Sequence, residues 1–198
     1  MTEMNVPAIS DEGGLAESSV QSTQIAFRGR VWNVVAKTFE FQEEVLTREY
    51  IEHPGAVAVL AINEKDEVLL IKQYRAPVNQ YLYEMPAGLR DVEDESDLES
   101  AKRELSEEAD YQANTWTHLH SFYTTPGSSS EVIQIFLAQD LSPTGQSFDR
   151  TSEEKGMVPI WVPFTEVLAS VMQSKTKSPT LVVAVLALAA RRSLESNG

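Results

Sequence analysis

The chain has 198 residues, of which 16 are basic and 30 acidic, giving a formal net charge of −14. That length holds one domain with a real core, or one domain and a small appendage. A hydrophobic share of 42% excludes wholesale disorder, and the absence of cysteine excludes a disulfide scaffold, a thiolate zinc site and a cysteine nucleophile. Lack of cysteine also fits a reducing compartment. The negative charge argues against nucleic acid as a main partner, because phosphate binding needs a basic surface. It suits a protein that gathers divalent cations, or one that is simply soluble.

The N-terminus has no basic stretch leading into an apolar core, so it does not read as a secretory signal, and a cytoplasmic location is expected. Residues 1–20 are polar and aperiodic and read as a disordered tail. Residues 21–53 read as an N-terminal strand segment, with Val31–Val35, Thr38–Phe41 and Val45–Glu52 rich in β-branched and aromatic residues. Residues 54–195 form the main domain. Ala56–Ile62 is a continuous apolar run, as in a strand buried on both faces. Asn63–Asp66 reads as a turn and Val68–Ile71 as a second buried strand, so the pair is expected to form a hairpin. Leu98, Ala101, Leu105 and Ala109 make one apolar stripe, predicting a helix over Asp97–Asp110.

Further on, Trp116–Tyr123 and Val132–Ala138 read as strands flanking a loop from Thr124 to Ser130, and Met157–Val162 as another strand. Phe164–Gln173 and Pro179–Glu195 read as helices, the second with Ser178 as N-cap and Pro179 in its first turn. Its apolar run Leu181–Ala190 is too short for a bilayer, which needs roughly 20 residues. Arg191 and Arg192 follow that run, at the end where the helix dipole favours cations. The expected class is α+β.

The chemistry is concentrated in the central helix. Glu104, Glu107 and Glu108 stand at i, i+3 and i+4, so their carboxylates can converge over one turn beside the apolar stripe. Like charges so placed repel, and a divalent cation reverses the sign; hard oxygen ligands suit Mg²⁺, with Mn²⁺ as a second choice. A solvated acidic helix face has the same sequence, so context must decide.

The context is Gly88, then Glu95, seven residues, and Arg103-Glu104-Leu105-Ser106-Glu107-Glu108-Ala109-Asp110-Tyr111. This resembles the box of the Nudix hydrolase superfamily, G-x5-E-x7-R-E-U-x-E-E-x-G-U with U aliphatic or aromatic. Two departures stand out. Six residues rather than five separate Gly88 from Glu95, and Asp110 replaces the final glycine. That glycine would end the helix left-handed, a conformation Asp tolerates better than a β-branched residue does. Beyond the box, Arg48-Glu49, Glu52-His53-Pro54-Gly55-Ala56-Val57, Gln73-Tyr74-Arg75, Glu84-Met85-Pro86-Ala87-Gly88 and Thr125-Pro126-Gly127 with Glu131 are similar to the ADP-ribose pyrophosphatase branch, and the longer loop to its actinobacterial members.

The resemblance implies a Nudix fold: a mixed β-sheet sandwiched between helices, with an antiparallel strand segment ahead of it. It implies Glu104, Glu107 and Glu108 as metal ligands with the carbonyl of Ala87, Arg103 orienting a box carboxylate, and Glu131 as the base. The branch usually has Phe-Ser-x-Glu after Pro-Gly, where this chain has Ser128-Ser129-Ser130-Glu131. Mg²⁺ would neutralise the diphosphate and activate a water. For substrate contacts it implies Arg48 and Glu49 at the adenine-ribose end, Arg75 near the diphosphate, Leu89 as a further contact, and Trp32 able to stack on adenine. Other roles stay open at the same positions: a loop acid for Glu131, a cross-strand ion pair for Arg48 and Glu49, a strand-end charge for Arg75 and a core residue for Trp32. His53 reads as structural. The implied partners are a small-molecule nucleoside diphosphate and a second copy of the chain exchanging residues 21–53, with no nucleic acid and no membrane. The implied reaction is hydrolysis of ADP-ribose to AMP and ribose 5-phosphate. The alternatives are another nucleoside diphosphate sugar, or a non-catalytic ADP-ribose sensor, which the intact box carboxylates disfavour.

Overall fold

The computed structural model describes residues 9–145 and 157–196. The first eight residues of the expected tail lie outside them. The chain forms two compact units, passing from one to the other between Glu52 and His53.

The first unit is an antiparallel sheet of β1 (Val20–Arg28), β2 (Asn33–Phe41) and β3 (Glu44–Glu52), in that order. β1 begins inside the segment read as tail, and a 3₁₀ turn at Glu17–Ser19 precedes it. Its Gln, Ser and Thr residues hide it from a hydrophobicity reading. β2 and β3 join through Gln42 and Glu43, both at positive φ (49° and 69°). This matches the twist that a two-residue hairpin requires, although neither residue is the Asn or Gly that favours it. Val35 is buried, whereas Ile25, Phe27, Phe41, Val45 and Ile51 stay exposed.

The second unit is built around β4 (Ala56–Ala61), every residue of which is buried. β4 lies inside a four-stranded mixed sheet with β7 (Ala87–Leu89), β9 (Val132–Pro143) and β8 (Tyr111–Tyr123), in the order β7-β4-β9-β8. It is antiparallel to β7 and parallel to β9. Alternation along the strand sends successive side chains to opposite faces. Val57, Val59 and Ala61 meet Ala101, Leu105 and Ala109 of α1 (Asp97–Ala109). Ala56, Ala58 and Leu60 belong with Val167 of α2 (Phe164–Met172) and Leu181, Ala184, Val185 and Leu188 of α3 (Pro179–Ser196). The sheet is therefore sandwiched between helices, as the fold class requires.

A second sheet has the order β10-β5-β6: β10 (Ile160–Pro163), β5 (Glu67–Arg75) and β6 (Gln80–Glu84). The expected β4–β5 hairpin does not form. Both edges of β4 are taken by β7 and β9, so β5 leaves for the other sheet, and only the bridge Ile62–Val68 joins the two strands. The turn between them is as read. The Asn63 carboxamide oxygen accepts from the Lys65 and Glu67 amides, and Asp66 stands at φ 58°. α3 runs past its two arginines, which therefore act as side-chain ties rather than as charges on the helix end. Arg192 grips Asp66 with both amino groups (3.1 and 2.6 Å), and Arg191 donates to the Leu119 carbonyl. Among the described residues, no helix is long and apolar enough to cross a membrane.

The left-handed pair at Gln42-Glu43 yields the first prediction. Replacing it with Asn-Gly should stabilise the chain by about 1 kcal/mol, read as a higher urea midpoint at unchanged slope.

Candidate active site

Helix α1 is placed by its two ends. At the start, the Ser96 hydroxyl accepts from the Glu99 amide (3.3 Å), the usual way to satisfy a free first-turn N–H. At the finish, Asp110 is left-handed (φ 60°, ψ 29°) and its amide closes on the Ser106 carbonyl (3.0 Å). Asp thus occupies the conformation for which the box prefers glycine, and the Thr144 amide secures its carbonyl (2.9 Å).

The apolar stripe of α1 faces β4, and that orientation carries two of the three glutamates inward. Glu104 and Glu108 are 8% and 7% exposed, while the Glu107 side chain is 45% exposed. Glu108 accepts from the Ala87 amide (2.8 Å). In a strand, the N–H and C=O of one residue point to the same side. The Pro86 carbonyl meets the Val59 amide of β4, so Ala87 turns both its groups away from β4, its carbonyl on the side of Glu108. Glu104 lies against Gly88, where a Cβ would fall 2.1 Å from the carboxyl carbon. The glycine of the box is the space that this carboxylate occupies.

Arg103 gathers the acids. Its guanidinium makes a two-pronged pair with Glu95 (3.1 and 3.0 Å) and reaches Glu104 (2.5 Å) and Glu107 (3.4 Å). Ser100 donates to Glu95 (2.7 Å). Arg103, then Ser100, hold the Glu95 carboxyl below the usual carboxylate range, and Glu95 in turn raises Arg103. The longer loop after Gly88 thus still delivers Glu95 to Arg103. A second ion pair, Arg90 to Asp97 (2.6 Å), ties that loop to the first turn of the helix.

Among the described residues, no three acidic or histidine side chains stand as a ready-made metal cluster. Glu104 and Glu107 are turned to Arg103, and Glu108 to a backbone amide. The donor set nevertheless fits a hard cation: carboxylate oxygens on adjacent turns, two of them largely buried, over a glycine cradle that a Cβ would fill. Glu104, Glu107, Glu108 and the Ala87 carbonyl are the groups that would hold it.

Glu131 immediately precedes β9, which runs beside β4 with Ile133 opposite Ala56, while Leu89 at the end of β7 pairs Ala56 from the other side. The starts of β4 and β9 and the end of β7 therefore share one edge of the sheet. The Glu131 carboxylate accepts from the Thr124 hydroxyl (2.6 Å) and faces His53 Nε2 (3.2 Å). The loop before it is fastened by serines in place of an aromatic anchor. Ser129 Oγ accepts from the Glu131 amide, and Ser130 Oγ from the His53 amide. His53 and Thr124, which the sequence reading left structural or unassigned, are thus in contact with Glu131. The antiparallel β8–β9 pairing brings Thr124 to Glu131, and the parallel pairing of β4 with β9 brings His53, which no local pattern reveals.

The substrate candidates are spread more widely. Arg75 forms a two-pronged pair with Glu84 across β5 and β6 (2.9 and 2.8 Å), its side chain still 45% exposed. Leu89 is half-buried at the end of β7. Arg48, Glu49 and Trp32 belong to the first unit. Arg48 stands opposite Lys37 and Glu49 opposite Ala36, so the two project to opposite faces of the sheet and are no cross-strand ion pair. Trp32 is not in a strand: it sits in the β1–β2 turn, where its carbonyl accepts from Gly29.

Residues 52–181 match the NUDIX domain family. The chain belongs to the Nudix family. It is 37% identical over 129 residues to an ADP-ribose pyrophosphatase of Bacillus subtilis (strain 168), covering 65% of this chain and 69% of that protein. It is 36% identical over 144 residues to an ADP-ribose pyrophosphatase of Mycobacterium tuberculosis (strain ATCC 25618 / H37Rv), covering 73% and 69%. The crystal structure of an ADP compounds hydrolase superposes with a TM-score of 0.71 over 94% of this chain and 99% of that one, at 24% identity. The structural likeness supports the Nudix fold, and the family makes the chain a hydrolase. Nudix hydrolases generally use divalent metal ions.

Two predictions test this Nudix site. Gly88→Ala should leave the fold intact, because the clash falls on the far end of one side chain, but it displaces Glu104. Turnover should then drop on the order of a hundredfold, with an unchanged melting temperature. Glu95→Gln addresses acid stability. A carboxylate held low in the folded state stabilises it above the unfolded pKa, and loses that contribution as pH falls through the folded one. Urea midpoints of the parent chain should therefore fall more steeply below about pH 4.3 than those of the variant.

Proposed function

We propose that this chain hydrolyses the diphosphate of ADP-ribose to AMP and ribose 5-phosphate, and that Mg²⁺ is its working cation. The observation that carries the reading is a complete set of box carboxylates on α1, two of them buried against Ala87 and Gly88. The ADP-ribose pyrophosphatase relatives support the substrate. A bound cation would supply charge neutralisation for the diphosphate and acidify a water.

The chain's own residues do the rest. Arg103 holds Glu95 and reaches Glu104 and Glu107, which limits repulsion among acids crowded on one helix. Glu131 accepts the proton of the attacking water. Oxygen from that water bonds to one phosphorus, and the bridging oxygen leaves with the other phosphate. Arg75 offers the exposed part of its guanidinium to the diphosphate, and Leu89 is a further substrate contact. Arg48, Glu49 and Trp32 serve the nucleoside end.

The first unit supports a homodimer. Ile25, Phe27, Phe41, Val45 and Ile51 are exposed on a three-stranded sheet with little core of its own, a surface suited to a second copy. The net charge of −14 argues against nucleic acid, and the reading places the enzyme in the cytoplasm.

The test is product release from ADP-ribose with Mg²⁺, beside ADP-glucose, GDP-mannose, NADH and diadenosine polyphosphates. AMP and ribose 5-phosphate should form fastest from ADP-ribose and stop with EDTA. Faster turnover of another member would move the specificity and discard the pocket assignments. Glu108→Gln should lower the rate by orders of magnitude at unchanged fold, and an unchanged rate would remove Glu108 from the site.

A further inference from the structure

The geometry points to His53 as a positioning residue for Glu131. This rests on the reading of Glu131 as the base and adds to it the group that aims it.

The His53 ring is fixed from both sides. Its Nδ1 accepts from the Gly55 amide (3.0 Å), so the neutral ring must carry its proton on Nε2. That nitrogen lies 3.2 Å from Glu131 Oε1, so the ring edge that carries the proton is turned to the carboxylate. The other oxygen, Oε2, accepts from the Thr124 hydroxyl (2.6 Å). An ionised carboxylate has about four acceptor positions. Thr124 takes one on Oε2 and the His53 ring nitrogen lies against Oε1, so the two oxygens are held by different groups.

The backbone enforces this arrangement. Gly55 donates its amide back to the ring two residues earlier and stands at φ 93°, a conformation that favours glycine. A Cβ there would also press on Arg90 and the Val132 carbonyl, at 3.1–3.2 Å. The His53 amide donates to Ser130 Oγ (2.9 Å), and that hydroxyl donates back to the His53 carbonyl (3.4 Å), so the backbone beneath the ring is tied to the loop before Glu131. Burial separates their roles. The His53 side chain is 7% exposed and that of Glu131 25%, which leaves the carboxylate accessible and its support covered.

The experiment is a double-mutant cycle on ADP-ribose turnover with Mg²⁺, using His53→Ala, His53→Gln and Glu131→Gln. His53→Ala should lower kcat on the order of 10- to 100-fold with KM within about twofold, since it misaims a proton acceptor without touching substrate. His53→Gln retains a donor and should recover part of the loss, and it stands in if the alanine variant does not fold. In the Glu131→Gln background, either substitution should cost nothing further. Equal losses with and without the Glu131 carboxylate, or a change confined to KM, would overturn the inference while leaving Glu131 as base. An undiminished rate for Glu131→Gln itself would instead remove the base assignment, and His53 with it.

Discussion

β4 has neither an exposed face nor a free edge, and the arrangement of the second unit follows from that. Its six residues are buried, its edges are occupied by β7 and β9, and its alternate side chains feed two cores. α1 must then lie with its Ala101-Leu105-Ala109 stripe on one face. The same helical period that aims Leu105 at the sheet brings Glu104 and Glu108 down beside it, over the strand that carries Ala87 and Gly88. Buried carboxylates are costly unless hydrogen-bonded or paired. Here Glu108 finds an amide and Glu104 finds Arg103, so hydrophobic packing places the acids and polar contacts make their burial tolerable.

The same strand organises the opposite flank. Because β9 runs parallel to β4, its start lies beside the start of β4, and Glu131 meets the His53-Pro54-Gly55 turn. Acids from the helix and an acid from the loop thereby come to one sheet without any of them belonging to a flexible terminus. Arg103 is central to the helix group. With Glu95, Glu104 and Glu107 around one guanidinium, its positive charge offsets part of the repulsion among them.

The helical stripe and the box spacing made α1 readable almost to the residue, and the apolar run made β4 readable as a buried strand. The partners of β4 were not readable, because a strand buried on both faces gives no clue to which edges are paired. That is why the β4–β5 hairpin was expected and not found. β7 is three residues long and contains Gly88, too little for a period-two pattern. Glu131 was legible only through resemblance to a family motif. His53 beside it was not, since their meeting depends on pairing across the whole domain. Trp32 looked like a strand residue from its neighbours, but the chain turns at Gly29 and uses the Trp32 backbone to do so.

The parallel register of β4 and β9 has a kinetic side. His53 and Ser130 are 77 residues apart in sequence, and α1 and the strands from β5 to β8 lie between them. Bringing such distant segments together costs loop-closure entropy before any contact offsets it, so pairings of this kind form late. Helix α1 has its own caps and local contacts, and Glu131 has Thr124 within its hairpin, whereas the contact of Glu131 with His53 needs the whole intervening chain to close. A chain in which β9 has not yet docked on β4 would carry the acidic helix with Glu131 still apart from His53.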